Sequence, residues 1–262
     1  MPYADNHGVK IHYEVEGAGP PLLLQHGFTS SLESWYRNGY VEALRGQYRL
    51  ILVDARGHGA SDKPHDLAAY TYELRASDDV AVLDALDVPR AHFFGYSMGG
   101  RIGFVLAQNA LQRFTSFIIG GSGPFARVPG SNVNRYVVPF QQGMSSYVAQ
   151  REQQEGPMPD WQKTMILAND PQALIAAALA SEKDPGREGT LGSLSVPCLL
   201  FAGDADAGAY EDAKRAAALI PNATFVSFPG LNHGQTNRRS DLVLPHVEAF
   251  LARASQATVS HD

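Results

Sequence analysis

The stretch AHFFGYSMGG, residues 91–100, joins an apolar run to the start of an amphipathic segment. Positions 95–99 fit the pattern Gly-x-Ser-x-Gly, and apolar residues follow at helical spacing at positions 102, 105 and 106. The pattern predicts a strand, a sharp turn and a helix, with Ser97 in a strained backbone conformation and its hydroxyl exposed. Gly95 and Gly99 suit such a turn because larger side chains would strike the neighbouring elements. We therefore interpret Ser97 as a nucleophile.

A serine hydroxyl is a weak nucleophile until a neighbouring base removes its proton. His233 follows the last strand-like run and is the candidate base, which would also need a carboxylate to orient its ring. Asp204 and Asp206 both stand at the carboxyl end of an earlier strand-like run, so either residue suits that role. The expected catalytic group is therefore a serine, a histidine and an aspartate that lie far apart in the sequence.

The rest of the chain alternates strand-like and helical segments. A strand near Tyr3 and an alternating strand over Val9–Glu16 precede apolar runs that are typical of parallel strands covered on both faces. Between them lie helical segments, such as Tyr70–Leu86 with apolar residues at positions 74, 80, 83 and 86. We predict an α/β fold with a mostly parallel β-sheet of about eight strands flanked by helices.

One region interrupts this alternation. Residues 124–190 contain no convincing strand and read as four short helices. We interpret residues 1–123 and 191–262 as the core and residues 124–190 as an inserted helical cap. The polar segment 254–262 is expected to be a frayed tail.

The composition excludes several classes of function. The 262 residues include 21 Lys and Arg against 27 Asp and Glu, a net charge of −6 without a basic cluster, which argues against nucleic-acid binding. The single cysteine, Cys198, excludes an internal disulfide and a cysteine-based zinc cluster. No metal-binding histidine motif and no dinucleotide-binding glycine motif is present, so we expect no metal and no cofactor. Without a signal peptide or membrane segment, we expect a cytoplasmic protein without a membrane partner. The oligomeric state stays open.

Three dispersed motifs resemble the α/β-hydrolase fold family. They are the Gly-x-Ser-x-Gly turn, the segment QHGF at residues 25–28 and the segment DARGHGASD at residues 54–62. The resemblance implies a triad of Ser97, Asp206 and His233, since the family's acid usually ends a Gly-x-x-Asp pattern. It also implies that the backbone amides of Phe28 and Met98 form an oxyanion hole.

The resemblance fixes the catalytic machinery better than the substrate. Candidate residues of the substrate pocket are His26, Tyr96, Arg101, Phe125, Tyr136, Phe140 and Trp161. A role in loop support is favoured for His26. Arg127, Arg135 and Arg151 form no obvious anion-binding cluster in the sequence. We therefore expect a small to medium ester or lactone with an apolar portion as substrate.

Alternative functions share the same fold. Arg101 after the turn resembles the corresponding arginine of the menaquinone-pathway lyase that eliminates pyruvate, in which this residue helps to hold an acidic substrate. Carbon–carbon bond hydrolases of aromatic ring cleavage and cofactor-free haloperoxidases or perhydrolases use the same triad. A non-catalytic receptor for a small ligand is a further, less favoured alternative.

Overall fold

Eight strands form where branched and aromatic residues cluster into apolar runs. The computed structural model describes residues 1–259, and side chains as far as residue 256. The strands are β1 (Tyr3–Asn6), β2 (Val9–Glu16), β3 (Pro21–Gln25), β4 (Arg49–Val53), β5 (Ala91–Tyr96), β6 (Phe114–Gly120), β7 (Cys198–Gly203) and β8 (Ala223–Phe228). The predicted mostly parallel sheet of about eight strands is confirmed.

The strands are ordered β1-β2-β4-β3-β5-β6-β7-β8 in one sheet. β1 pairs antiparallel with β2, and β2 pairs antiparallel with β4, while all other neighbours are parallel. The β1–β2 hairpin turns at His7 and Gly8, whose φ angles of 55° and 83° match the two-residue turn that this twist favours. The central strands are buried on both faces, as their continuous apolar sequences predict.

Eleven α-helices lie within residues 1–259. They are α1 (Glu33–Arg37), α2 (Tyr40–Leu44), α3 (Tyr72–Ala85), α4 (Met98–Asn109), α5 (Val138–Gln141), α6 (Met144–Glu155), α7 (Asp160–Leu167), α8 (Pro171–Ser181), α9 (Ala207–Leu219), α10 (His233–Arg238) and α11 (Ser240–Val259). Three short 3₁₀ turns cover Leu67–Tyr70, Leu111–Arg113 and Glu188–Ser193, and a π-helical turn covers Val133–Val137.

Helix α3 buries a wider face than the one that the sequence predicts. Of the predicted apolar positions 74, 80, 83 and 86, Leu83 is fully buried, and Val80 and Leu86 are partly buried against the same core. The buried side also includes three charged residues, Arg75, Asp78 and Asp79, beside apolar neighbours. The prediction missed these charged positions because it counted apolar residues only.

The carboxyl ends of the parallel strands bring distant segments together. The chain runs from β3 outward to β4 and then back to β5, from which it proceeds in the other direction to β8. The β3–β5 boundary is therefore the topological switch point, where α/β sheets leave a crevice for ligands. The loop after β3 and the turn after β5 both open into this crevice.

Residues 124–190 contain helices and turns without a strand. They form a small apolar cluster of their own, which includes Phe140, Tyr147, Ile166 and Leu174 and packs against Phe28. A second cluster joins the alanines of α8 to Tyr70. These contacts place the helical segment over the carboxyl edge of the sheet.

The C-terminal segment is more regular than the sequence predicts. Residues 254–259, expected to be frayed, continue α11 as regular helix, and residues 260–262 lie outside the described part of the chain. No helix within residues 1–259 combines the length and apolar character needed to cross a membrane.

The turn after β5 gives a testable prediction, because it depends on a close backbone approach. A Cβ at Gly99 would lie 2.1 Å from the Gln25 carbonyl oxygen, whereas a Cβ at Gly46 meets no atom within 4 Å. Gly99→Ala should lower the free energy of unfolding by about 2–3 kcal/mol, as overpacking does. Gly46→Ala should change it by less than about 0.5 kcal/mol, and urea unfolding of both variants checks this. Equal stabilities would contradict the packing at this turn.

Candidate active site

Ser97 stands at the turn between β5 and α4 in the strained conformation that the sequence predicts. Its φ and ψ are 55° and −111°, a region that residues other than glycine rarely occupy. The Ser97 N–H donates to the Gly120 carbonyl at 2.8 Å, and its own carbonyl accepts from the Arg101 N–H at 3.0 Å. These bonds hold the strained backbone in place and leave the hydroxyl half-buried at the strand edge.

His233 contacts the hydroxyl of Ser97 directly. Its Nε2 lies 2.9 Å from Ser97 Oγ, and its Nδ1 lies 2.5 Å from Asp206 Oδ2. An ionised carboxylate only accepts hydrogen bonds, so the proton of the neutral imidazole sits on Nδ1. Nε2 is then free to accept the proton of the serine hydroxyl. The three residues form one continuous hydrogen-bond chain.

Local structure fixes the position of His233. The residue opens α10, whose N-cap Asn232 and third residue Gln235 bond reciprocally as a capping box. The Tyr96 hydroxyl donates to the His233 carbonyl at 2.6 Å. His233 is therefore held from both its helix and the neighbouring strand β5.

Asp206, rather than Asp204, reaches His233. Asp206 is the N-cap residue of α9, yet its side chain does not cap that helix and instead contacts the imidazole. Asp204 is exposed, and its Oδ1 accepts the Gly230 N–H at 2.7 Å. The residues alone did not decide which of the two aspartates orients the histidine. In the structure the two carboxylates have separate contacts.

The loop after β3 lies against the nucleophile. A Cβ built on Gly27 would lie 3.3 Å from the Ser97 Cβ, so the backbone of residues 27 and 28 borders the hydroxyl. Met98 is the first residue of α4, and the first amides of a helix have no acceptor within the helix. The loop of Gly27 and Phe28 therefore lies beside Ser97, and Met98 follows Ser97 directly at the start of α4.

His26, a candidate pocket residue, instead supports this loop. Its Nε2 accepts the Ala55 N–H at 3.1 Å, while its Nδ1 lies 2.8 Å from the Gly27 carbonyl. His58 Nε2 likewise accepts the Thr29 N–H at 3.3 Å. Burial lowers the pKa of His26, and lowers the pKa of His58 further, so both rings stay neutral and keep an acceptor nitrogen.

Three cavities meet at Ser97 and His233, and the smallest of them, of about 50 Å³, lies against Tyr147 and Arg151. The main cavity, the largest of the three, has a volume of about 260 Å³, and the candidate pocket residue Tyr136 lines it together with Phe28. A smaller cavity of about 60 Å³ is lined by Tyr96 and Trp161, which were also candidate pocket residues. The volumes suit a small molecule.

Three other candidate pocket residues lie elsewhere. The Arg101 side chain is buried, its Nε bonds Asp184 at 2.5 Å, and it lines none of the three cavities. Phe140 is buried among the rings of Phe28 and Tyr147. Phe125 lines a neighbouring cavity that includes neither Ser97 nor His233, and the Arg215 guanidinium stacks on its ring.

The main cavity also contains arginines that sequence reasoning did not assign to it. Arg75, Arg127 and Arg135 all line it, contrary to the expectation of a mainly apolar wall. The available signal for Arg75 was its spacing of three residues from Tyr72 and four from Asp79, which places it on the same buried side of α3. Arg127 and Arg135 depend on the geometry of the helical segment, which the sequence does not specify.

Within the described residues no group of three or more His, Cys, Asp or Glu side chains could hold a metal ion. Cys198 is buried in β7, and burial raises the pKa of its thiol to about 12.

Comparison with known proteins gives a consistent result. The family model described as alpha/beta hydrolase fold matches residues 20–173. A non-heme chloroperoxidase of Streptomyces lividans is 30% identical over 93% of this chain and 96% of its own length. A putative carbamate hydrolase, RutD, of Azorhizobium caulinodans is 37% identical, but the match covers only 45% of this chain and 43% of that protein.

A solved structure is similar over the whole chain. The enol-lactonase from Burkholderia xenovorans superposes with a TM-score of 0.85 at 25% identity, covering 96% of this chain and 100% of the enzyme.

The separate contacts of the two aspartates can be tested by matched substitutions. Asp206→Asn replaces the carboxylate at His233 Nδ1 by a neutral amide that can also donate to the ring, and it should lower kcat for a short ester by about 10³–10⁴-fold, because the imidazole loses its tautomer and the imidazolium loses its counter-charge. Asp204→Asn keeps an oxygen acceptor for the Gly230 N–H and should change kcat by less than about threefold. Similar losses in both variants would contradict the assignment of the acid.

Proposed function

Because the chain belongs to the α/β-hydrolase fold family, we propose that it is a serine hydrolase that cleaves a small to medium carboxylic ester or lactone. The observation that carries this proposal is the chain of hydrogen bonds from Asp206 through His233 to Ser97. Family membership alone leaves the reaction open, since this fold supports several chemistries. The likeness to an enol-lactonase favours the lactone branch of the proposal.

The first half of the proposed reaction forms an acyl-enzyme. Ser97 Oγ attacks the carbonyl carbon while His233 Nε2 takes its proton. Negative charge develops on the carbonyl oxygen, and the Phe28 and Met98 amides stabilise it; such a donor contributes about 3–4 kcal/mol in related chemistry. The intermediate collapses when His233 returns the proton to the leaving alcohol.

The second half restores the enzyme. His233 Nε2 takes a proton from a water molecule, whose oxygen attacks the acyl carbon. The Ser97 oxygen then leaves, takes the proton back from His233, and the carboxylic acid is released. Asp206 stabilises the imidazolium in both halves without accepting the proton itself.

Two further assignments belong to the same proposal. We infer that residues 124–190 act as a cap inserted into a core of residues 1–123 and 191–262, because their helices supply one side of the main cavity. A small-molecule ester or lactone is then the only partner that this mechanism needs, and it requires no cofactor.

The lyase alternative receives less support. It depends on Arg101 holding an acidic substrate, but the Arg101 guanidinium bonds Asp184 and the carbonyl groups of Gly123 and Phe125. These contacts join the start of the helical segment to Asp184 near its end, and the guanidinium also lies over the Tyr72 ring.

A second candidate reaction is perhydrolysis, which the likeness to a non-heme chloroperoxidase favours. Hydrogen peroxide would replace water in attacking the acyl-enzyme, so that the Ser97 oxygen leaves and a peracid forms. No change in the triad is needed, because His233 removes a proton from either nucleophile. Peracid formation from acetate and hydrogen peroxide, compared with ester hydrolysis under matched conditions, separates the two reactions.

The proposed function predicts the effect of removing the nucleophile. Ser97→Ala should lower kcat for short 4-nitrophenyl esters and small lactones by about 10⁵–10⁶-fold, with the thermal unfolding transition retained. Ser145→Ala, which changes an exposed serine of α6, is the control and should keep wild-type turnover. Ser97→Ala activity above a few per cent would contradict the mechanism. A ring-cleavage dienoate in the same panel tests carbon–carbon bond hydrolysis, and its preferred turnover would replace the ester proposal.

A further inference from the structure

The main cavity carries an excess of positive charge. Three arginines line it, Arg75, Arg127 and Arg135, against two aspartates, Asp206 and Asp212. Asp206 is already engaged by His233. Asp212 is half-buried, and burial raises the pKa of its carboxyl, while the charges of Arg127, Arg101 and Arg215 oppose that rise. One positive charge is therefore in excess even when both carboxyls are ionised.

Arg75 is the buried member of this set. Its side chain is only slightly exposed, at 3%, whereas Arg127 and Arg135 are exposed. Its Nη2 donates to the Ala177 carbonyl at 2.9 Å, but its Nε is buried without a hydrogen-bond partner. Within residues 1–259, no carboxylate oxygen forms an ion pair with this guanidinium.

The surroundings of Arg75 do not supply the missing charge. Asp78, one turn away on α3, is held by Arg56 through two hydrogen bonds of 2.6 Å. The rings of Tyr72 and Tyr70 lie 4.9 Å and 5.6 Å from the Arg75 guanidinium carbon and give it cation–π contacts. Neutral rings and one carbonyl only partly replace the water that a buried guanidinium loses.

A buried cation without a counter-ion is costly, and proteins pair such groups or use them to bind a ligand. The cavity that Arg75 lines also contains Ser97 and His233. We propose that the substrate is anionic, with a carboxylate that binds in the main cavity at Arg75 while Arg127 and Arg135 attract it at the rim. This inference rests on the proposed ester or lactone hydrolysis and names the substrate class of that same site.

The size of the cavity limits the anion. About 260 Å³ is less than the volume of a typical site for a drug-sized ligand, so a short dicarboxylate half-ester or a lactone acid fits better than a long acyl chain. The guanidinium favours a carboxylate because its N–H groups form charge-assisted hydrogen bonds with carboxylate oxygens.

The wild-type enzyme provides a first test without any substitution. Glutarate should competitively inhibit hydrolysis of a neutral 4-nitrophenyl ester at concentrations at least about tenfold lower than those needed for glutaramide, its uncharged analogue. Equal inhibition by the two compounds, or inhibition by neither, would overturn the proposal.

The second test assigns the anion to Arg75. The anionic substrate is mono-(4-nitrophenyl) glutarate, and its neutral match is the methyl 4-nitrophenyl diester. The ratio of their kcat/KM values, anionic over neutral, should exceed one in the wild type and fall by about 10- to 100-fold in Arg75→Met. Arg75→Met keeps most of the apolar packing against the tyrosine rings.

Two control variants separate charge from structure. Arg75→Lys keeps the charge and should retain part of the preference, whereas Arg37→Met, which removes an exposed arginine of α1, should leave the ratio unchanged. If Arg75→Met lowers kcat/KM equally for both substrates, the residue only supports the fold. This result would overturn the proposal.

A failure of the proposed hydrolysis has a different signature. If the wild type turns over neither ester, the mechanism is wrong, but calorimetric titration of Ser97→Ala with glutarate still measures anion binding in the cavity. If the wild type hydrolyses the neutral ester and the anionic-over-neutral ratio of kcat/KM is one or less, the mechanism stands. The proposal of an anionic substrate is then wrong.

Discussion

The left-handed backbone at Ser97 is the constraint on which the whole site depends. A non-glycine residue with φ of 55° costs free energy, and here the close approach of β5, α4 and the loop after β3 maintains it. The approach is possible because Gly95 and Gly99 have no side chain: a Cβ on either would come within 2.4 Å of a backbone oxygen. The same geometry presents the hydroxyl at the switch point of the sheet, beside the start of a helix.

Two neutral histidines support the loop beside this turn. His26 and His58 are buried and accept backbone amide hydrogens, so they fix the loop that carries Phe28. Asp206 and His233 are half-buried and free to respond to charge that develops on Ser97. Arg75 lines the main cavity, where its buried guanidinium forms no ion pair with a carboxylate of residues 1–259 and its Nε has no hydrogen-bond partner.

The sequence predicted the sheet and the triad better than the cavity. Apolar runs of residues mark strands because burial on both faces requires them, and Gly-x-Ser-x-Gly marks a turn that few residues can form. The distinction between Asp204 and Asp206 needed a family pattern, since both follow β7. The residues that line the cavity are harder to predict. Arg101 and Phe140 form packing contacts away from the cavity, whereas Arg75 lines it from a helix that the sequence predicts to bury leucines. Which side of a helix faces inward depends on partners distant in sequence.

Chemical labelling tests the central claim most directly. A fluorophosphonate reacts only with a serine whose hydroxyl is activated by a neighbouring base, so peptide mass spectrometry of the labelled protein identifies that serine. We expect one phosphonate per chain, on Ser97, and loss of the label in His233→Ala. Labelling at another serine, no labelling of the folded wild type, or full labelling of His233→Ala would contradict the account.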